Sequence, residues 1–89
     1  MARIFWTDRA RQRFDSLPEP DQDAINVLLG FVRQWPEMYP EMQEALRWRG
    51  YRKIVVRQRW LVLYRVKKSG SPEPDQVYIG DIVPARSDY

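Results

Sequence analysis

The stretch that decides the fold is Tyr51–Val66, YRKIVVRQRWLVLYRV. Apolar and cationic residues alternate along its first half, the alternation breaks at Gln58-Arg59, and an apolar run then resumes. A period of two is typical of a strand with one buried face, and a short polar break between two such runs is typical of a tight turn. The stretch therefore predicts a β-hairpin. It also carries five cations, namely Arg52, Lys53, Arg57, Arg59 and Arg65.

Upstream of the hairpin, two amphipathic patterns predict a pair of helices. The first covers Asp8 to Leu17, where apolar positions recur at i, i+4 and i+7. The second begins at Glu19-Pro20-Asp21 and carries a broad apolar stripe as far as Trp35. A proline follows each helix and ends it, because proline cannot donate the next helical hydrogen bond. The short apolar run Ala2–Trp6 before them is predicted to be an edge strand.

Downstream, Val77–Val83 predicts a last strand after a polar loop. The order is strand, helix, helix and three strands, and sequential strands joined by short turns usually pair antiparallel. We therefore predict one α+β domain, residues 1–89, with an N-terminal strand and a helical hairpin packed on one face of a small, mainly antiparallel twisted β-sheet. Trp6 and Trp35 are predicted to close the core. The predicted core residues are Phe14, Leu28, Val32, Ile54, Val56, Val62, Tyr64 and Ile79.

Composition excludes several kinds of site. The 89 residues contain no cysteine and no histidine, so disulfides, thiolate metal sites and Ser-His-Asp or Cys-His catalysis are excluded. No pattern indicates a metal or a cofactor. The net charge is +3, and the nine cations between Arg47 and Lys68 are accompanied by no acid, which suits a polyanionic partner. No long apolar run is present, so we expect no signal peptide, no membrane contact and a cytoplasmic location.

The chain resembles the RelE/ParE superfamily of toxins from bacterial type II toxin–antitoxin modules. The resemblance is carried, in the same order over nearly the whole chain, by the helical hairpin entered through WTDRA (Trp6–Ala10), by Arg52–Val56, by Trp60–Val66, by Asp81–Val83 and by Arg86–Tyr89. It implies a toxin that is neutralised by a cognate antitoxin protein.

The resemblance leaves the target open. RelE-like members cleave mRNA in the ribosomal A site, whereas ParE-like members inhibit DNA gyrase and are not nucleases. Our first expectation is a ribosome-dependent mRNA endoribonuclease (mRNA interferase) that blocks translation, with the ribosome and mRNA as partners. The alternatives are a ParE-like gyrase inhibitor and a non-toxic interaction module of the same fold. Leu61, where many members carry an arginine, and Val55, where a second lysine would help, favour the gyrase inhibitor.

The resemblance also implies site residues. RNA cleavage by the 2′-hydroxyl needs proton transfer at two oxygens and stabilisation of charge on the phosphate. The expected catalytic residues are Lys53, Arg86 and, more loosely matched, Tyr89. Of the expected RNA- or phosphate-binding residues, the resemblance implies Arg52. Arg57 and Arg59 are added as guanidinium groups that can clamp a phosphate, and Trp48 as a ring beside the cations that can stack on a base. Several of them also have an interpretation without a functional role. Lys53 and Arg57 could simply face solvent on the sheet, and Tyr89 could belong to a frayed terminus. Trp48 could cover the helix–sheet junction or the antitoxin groove.

Overall fold

The computed structural model describes residues 1–43, 46–70 and 72–86. Its elements are β1 (Arg3–Trp6), α1 (Asp8–Asp15), α2 (Glu19–Gln34), a short 3₁₀ helix (Leu46–Trp48), β2 (Arg52–Val56), β3 (Trp60–Lys67) and β4 (Gln76–Pro84). The predicted α+β class and element order are confirmed. In the part of the chain described, no helix is long and apolar enough to cross a membrane.

The four strands form one mixed sheet in the order β1-β4-β3-β2. β3 pairs antiparallel with both β2 and β4, whereas β1 pairs with β4 in parallel. β1 is an edge strand, as predicted. The sheet is therefore mainly antiparallel, and its first strand pairs with the last strand.

Thr7 fixes the start of α1 relative to the sheet. Its hydroxyl oxygen accepts a hydrogen bond from the Ala10 amide at 3.2 Å, which caps the helix. The same hydroxyl lies within donating distance of the carbonyl oxygens of Ile79 and Gly80, at 3.2 and 3.0 Å. The side chain of Gln22 then donates to the carbonyl of Phe14 at 2.8 Å, which ties α2 to α1. These contacts hold both helices on one face of the sheet.

The main core lies between the helices and the sheet. The eight predicted core residues all belong to it, Leu28 as a partly buried member. Trp6 packs edge-on against Phe14, with ring centroids 5.1 Å apart. The prediction for Trp35 is wrong, because its side chain is 55% exposed. α2 ends at Gln34, and Trp35 has left the helical backbone at φ −131° before a proline, which turns its ring outward.

A second, smaller cluster lies on the opposite face of the sheet, where the sequence analysis placed no layer. The chain between α2 and β2, here called the crossing segment, crosses to this face; its described residues are 35–43 and 46–51. Four residues are buried there, and three partly buried side chains pack on them. The buried ones are Met42, Leu61, Leu63 and Val83, and the partly buried ones are Trp48, Tyr51 and Ala85.

A bulge in β4 sets which side chains face each layer. Leu63 pairs with Asp81 and Tyr64 pairs with Ile79, so Gly80 is an extra residue in β4. Ile79 and Ile82, three residues apart, consequently both lie in the main core. A methyl group on Gly80 would lie 2.7 Å from Cε2 of Tyr51, so glycine is required for the crossing segment to lie this close.

Candidate functional site

The candidate site lies on the sheet face that points away from α1 and α2, here called the outer sheet face. Ile54, Val56, Val62 and Tyr64 point into the main core, so the alternate residues of the same strands point to the outer sheet face. The one acid in the described strands, Asp81 on β4, is buried and is paired with Arg9 and Arg13 of α1, at 3.1 and 3.6 Å. Four cations occupy strand positions on the outer sheet face. These cations are Arg3, Lys53, Arg65 and Lys67.

Lys53 is the predicted catalytic residue that the strand geometry orients best. It pairs with Leu63 across β2 and β3, and it alternates with the buried Ile54, so it points to the outer sheet face. Its side chain is half-buried, while Leu63 opposite it is fully buried. The lysine therefore lies next to Leu63, a buried apolar residue of the smaller cluster.

Arg59, predicted to bind phosphate, and Arg86, predicted to be catalytic, lie together at the turn end of the hairpin. The amide of Ala85 donates to the carbonyl oxygen of Arg59 at 2.8 Å, which joins the end of β4 to the β2–β3 turn. Both arginines are exposed and line a cleft of about 350 Å³ with Gln58 and Pro84. Two guanidinium groups at one cleft can bind a phosphate bidentately.

The turn itself is held in an uncommon backbone conformation. Arg57 and Gln58 have φ values of 53° and 57°, in the left-handed region. The amide of Arg59 donates to the carbonyl of Val56 at 3.0 Å, so these two residues are the centre of a type I′ turn. Such a turn normally carries Asn or Gly, and strained non-glycine residues concentrate at functional sites.

Arg57 is engaged by a buried acid. Its Nε lies 3.4 Å from Oδ1 of Asp21, a side chain that is 1% exposed. The indole N–H of Trp60 donates to the other oxygen, Oδ2, at 2.9 Å. Oδ1 accepts no hydrogen bond, so Arg57 neutralises it as an ion-pair partner. These contacts favour a structural role for Arg57, and phosphate binding by it stays a prediction.

Arg52 is also paired with acids, at the other end of the hairpin, but these acids are exposed. Its side chain is 13% exposed, and it donates to the carbonyl of Tyr39. Its Nη2 also lies 3.6 Å from Glu41 and 3.7 Å from Glu37. The hydrogen bond and charge of Lys68, helped by Arg52, lower the pKa of Glu37. Arg52 therefore holds the crossing segment against the sheet, and its predicted contact with RNA is untested.

Trp48 lies over the sheet. Its ring meets that of Tyr51 edge-on, with centroids 4.8 Å apart, and it approaches Gly80. The guanidinium of Arg47 lies 5.4 Å from the Trp48 ring centroid. These contacts agree with a covering role, and stacking on a base stays a prediction.

A tyrosine can act as a base only if its hydroxyl can lose its proton. Burial raises the pKa of Tyr64 to about 12, and its hydroxyl donates to the carbonyl of Pro36 at 2.8 Å. Tyr64 consequently stays protonated at neutral pH and cannot serve as a base. Tyr89, the predicted catalytic tyrosine, lies outside the described residues.

Sequence reasoning missed one group on the outer sheet face. The rings of Phe5 and Tyr78 are stacked, with centroids 5.3 Å apart and planes 21° apart. The guanidinium of Arg65 lies 5.3 Å from the centroid of Tyr78. These residues come from three strands, and only the parallel pairing of β1 with β4 places Phe5 beside Tyr78. Alternation within β1 was the available signal, but it did not identify the neighbouring strand.

Metal ligands do not accumulate at this site. Within residues 1–43, 46–70 and 72–86, no three His, Cys, Asp or Glu side chains are grouped so that they could hold a metal ion.

Comparison with known proteins identifies the architecture. A scan against protein-family models and a search of curated proteins give no match. Among solved structures, the chain is similar to a YoeB/ParE toxin from Agrobacterium tumefaciens, with a TM-score of 0.73. The match covers 90% of this chain and 94% of the other at 15% sequence identity. The two helices and the four-stranded mixed sheet of this protein therefore form a RelE/ParE-like toxin fold.

Proposed function

We propose that this protein is the toxin of a type II toxin–antitoxin module and acts in the cytoplasm as a ribosome-dependent mRNA endoribonuclease. The observation that carries the proposal is the cationic outer sheet face, which bears Lys53 and ends at the Arg59–Arg86 cleft, on a RelE/ParE-like toxin fold. A sheet face whose strand positions carry four cations, while the one acid of the described strands is paired with arginines of α1, suits the phosphate backbone of RNA.

The chemistry needs no group beyond those of this chain and its substrate. Attack by the 2′-hydroxyl on the adjacent phosphorus breaks the bond to the 5′-oxygen and leaves a 2′,3′-cyclic phosphate. One group must take the 2′-hydroxyl proton and one must protonate the leaving oxygen. We assign proton transfer to Lys53 with Tyr89, and we assign the charge on the phosphate to Arg86 with Arg59. A bidentate guanidinium matches the geometry of phosphate oxygens.

The test is cleavage of mRNA on programmed ribosomes, mapped by primer extension. Lys53→Ala and Lys53→Arg are both expected to lower the cleavage rate by roughly 10²–10⁴-fold, the usual contribution of a general acid or base. Arginine keeps the charge but does not exchange a proton at neutral pH, so Lys53→Arg should still bind ribosomes. Arg86→Ala should lower the rate by roughly 10²–10³-fold.

Arg33→Ala is the matched control, because it removes an exposed cation from α2 on the other side of the molecule. Its cleavage rate should equal that of the unaltered protein. Intact mRNA with the unaltered protein, or equal cleavage by Lys53→Ala, would overturn the proposal.

A second candidate, inhibition of DNA gyrase, is favoured by one observation. Leu61 is 4% exposed and lies in the cluster under the crossing segment, so no phosphate-binding side chain is available at that position. A supercoiling assay with purified gyrase separates the two candidates. Inhibition of supercoiling with intact mRNA in the ribosome assay would decide for the gyrase inhibitor.

The proposed antitoxin partner is supported by an apolar ridge formed by α2 and by the residue that follows it, here called the α2 ridge. Val27, Phe31 and Trp35 recur at spacing four and are 62%, 47% and 55% exposed. They point away from the face that buries Ile25 and Leu29. An amphipathic antitoxin segment would cover such a ridge. The neighbouring reading frame should encode a protein that copurifies with this one, and Phe31→Asp should weaken that complex.

A further inference from the structure

Phe5, Tyr78 and Arg65 form a row across three neighbouring strands of the outer sheet face. Tyr78 is the register partner of Phe5 on β1 and of Arg65 on β3. The two rings are nearly parallel, and the guanidinium lies 5.3 Å from the Tyr78 centroid. Phe5 is 40% exposed, so a large apolar ring is held at the surface. We refer to these three residues as the aromatic row.

A second row runs beside the first. Gln76 is the register partner of Lys67 on β3 and of Arg3 on β1, and it precedes Tyr78 by two residues on the same face. The hydroxyl of Tyr78 donates to Oε1 of Gln76 at 2.6 Å, which joins the two rows. The second row therefore places an exposed cation at each end, next to the stacked rings.

Asp75, which precedes Gln76 in the sequence, interacts with residues outside the second row. The carboxylate of Asp75 lies 3.7 Å from Nζ of Lys68 and accepts a hydrogen bond from the Ser69 amide at 3.3 Å. Among the described residues, Asp75 therefore does not engage Lys67 or Arg3, and both cations are exposed beside the rings. Phe5 thus supplies an exposed ring, backed by Tyr78 and flanked by cations. This combination binds single-stranded nucleic acid, since bases stack on rings and cations contact the backbone.

We propose that the aromatic row is a stacking platform for unpaired bases of single-stranded RNA, and that Lys67 and Arg3 contact its phosphates. The choice of RNA rests on the proposed function, whereas the platform itself rests on the geometry of the two rows. Lys53 points to the same face on β2, two strands away from β4.

The test is direct binding of a short fluorescein-labelled single-stranded RNA, measured by anisotropy without ribosomes. Phe5→Leu keeps the apolar bulk and removes the ring, and Phe5→Tyr keeps the ring. Because a stacked base contributes roughly 1–3 kcal/mol, Phe5→Leu should weaken binding by roughly 5- to 150-fold. Phe5→Tyr should bind as the unaltered protein does. Equal melting temperatures for the two variants establish that the difference is not one of folding.

The cations give an independent readout. Lys67→Ala should lower the slope of log affinity against log salt by about 0.7, the value for one lost contact with a single-stranded phosphate. Arg33→Ala removes the same charge from α2 and should leave the slope unchanged. A duplex of the same sequence should bind more weakly than the single strand, because its bases are not free to stack.

Equal affinity of the Phe5→Leu and Phe5→Tyr variants, or equal binding of duplex and single strand, would overturn the platform. Cleavage of mRNA on ribosomes combined with that result would leave the proposed function standing. Conversely, ring-dependent binding of RNA without any ribosomal cleavage would support the platform and refute the nuclease.

Discussion

At the scale of single residues, the buried carboxylate of Asp21 connects the candidate site to the fold. It lies in the first turn of α2, accepts the indole N–H of Trp60 and pairs with Arg57. The strained turn that presents Arg59 is thereby fastened to the helix layer. A buried acid with two partners from the hairpin is a specific anchor, because removal of either side leaves the other without compensation.

Replacement of Asp21 should therefore destabilise the protein and loosen the turn. Asp21→Ala leaves the Trp60 N–H without an acceptor, and we expect a loss of roughly 2–3 kcal/mol in the free energy of unfolding, measured by urea denaturation. Asp21→Asn keeps an acceptor but loses the charge, so it should cost less. Asp23→Ala, an exposed acid on the same helix, should change stability by less than about 0.5 kcal/mol. Equal effects at the two positions would contradict the anchoring role.

At the scale of elements, two glycines that look alike in sequence should respond in opposite ways. A methyl group at Gly30, within α2, meets nothing within 4 Å, whereas one at Gly80 would lie 2.7 Å from the Tyr51 ring. Gly30→Ala should raise the free energy of unfolding by roughly 0.5–1 kcal/mol, because alanine favours the helix.

Gly80→Ala should lower the free energy of unfolding by roughly 1–3 kcal/mol, because it overpacks the bulge. It should also alter the near-ultraviolet circular dichroism of Tyr51 and Trp48, which lie over this position. Urea denaturation of both variants measures the sign at each glycine. Stabilisation by Gly80→Ala would mean that the crossing segment does not pack closely on the sheet.

The elements also separate what the sequence can predict from what it cannot. Helix periodicity and proline positions predicted α2 to within about one residue, and alternation predicted β2 and β3, because those signals are local. The outer cluster depends on the crossing segment, which has no period, and the bulge at Gly80 depends on packing against Tyr51. The stacked pair of Phe5 and Tyr78 depends on parallel pairing between strands about 70 residues apart, which no local pattern specifies.

At the scale of the whole molecule, Glu37 links three parts of the chain and makes stability depend on pH. It pairs with Lys68 at the end of β3 and with Arg52 on β2. The pKa of Glu37 is lowered, chiefly by its hydrogen bond to Lys68, so its contribution to stability is present above its unfolded pKa. That contribution is lost as the pH falls through the folded-state pKa.

The pKa of Lys68 is raised, chiefly by the hydrogen bond from its ammonium to Glu37. The contribution of Lys68 to stability is therefore present below pH 10.5 and is lost as the pH rises through its folded-state pKa. The urea midpoint of the unaltered protein should fall between pH 6 and pH 3. Glu37→Gln should have a lower midpoint at pH 6 and a shallower decline toward acid. Parallel declines for the two proteins would show that Glu37 does not take part.

The two faces of the molecule should also be separable by mutation. The α2 ridge points away from the sheet, whereas the aromatic row lies on the outer sheet face, so the two proposed partners approach from opposite sides. Phe31→Asp should weaken the antitoxin complex and leave the affinity for single-stranded RNA unchanged, and Phe5→Leu should weaken RNA binding. Both affinities are measurable by anisotropy on the same two variants. If Phe31→Asp weakened both complexes equally, the helix and sheet faces would form one continuous binding surface, and separate sites for the two partners would be ruled out.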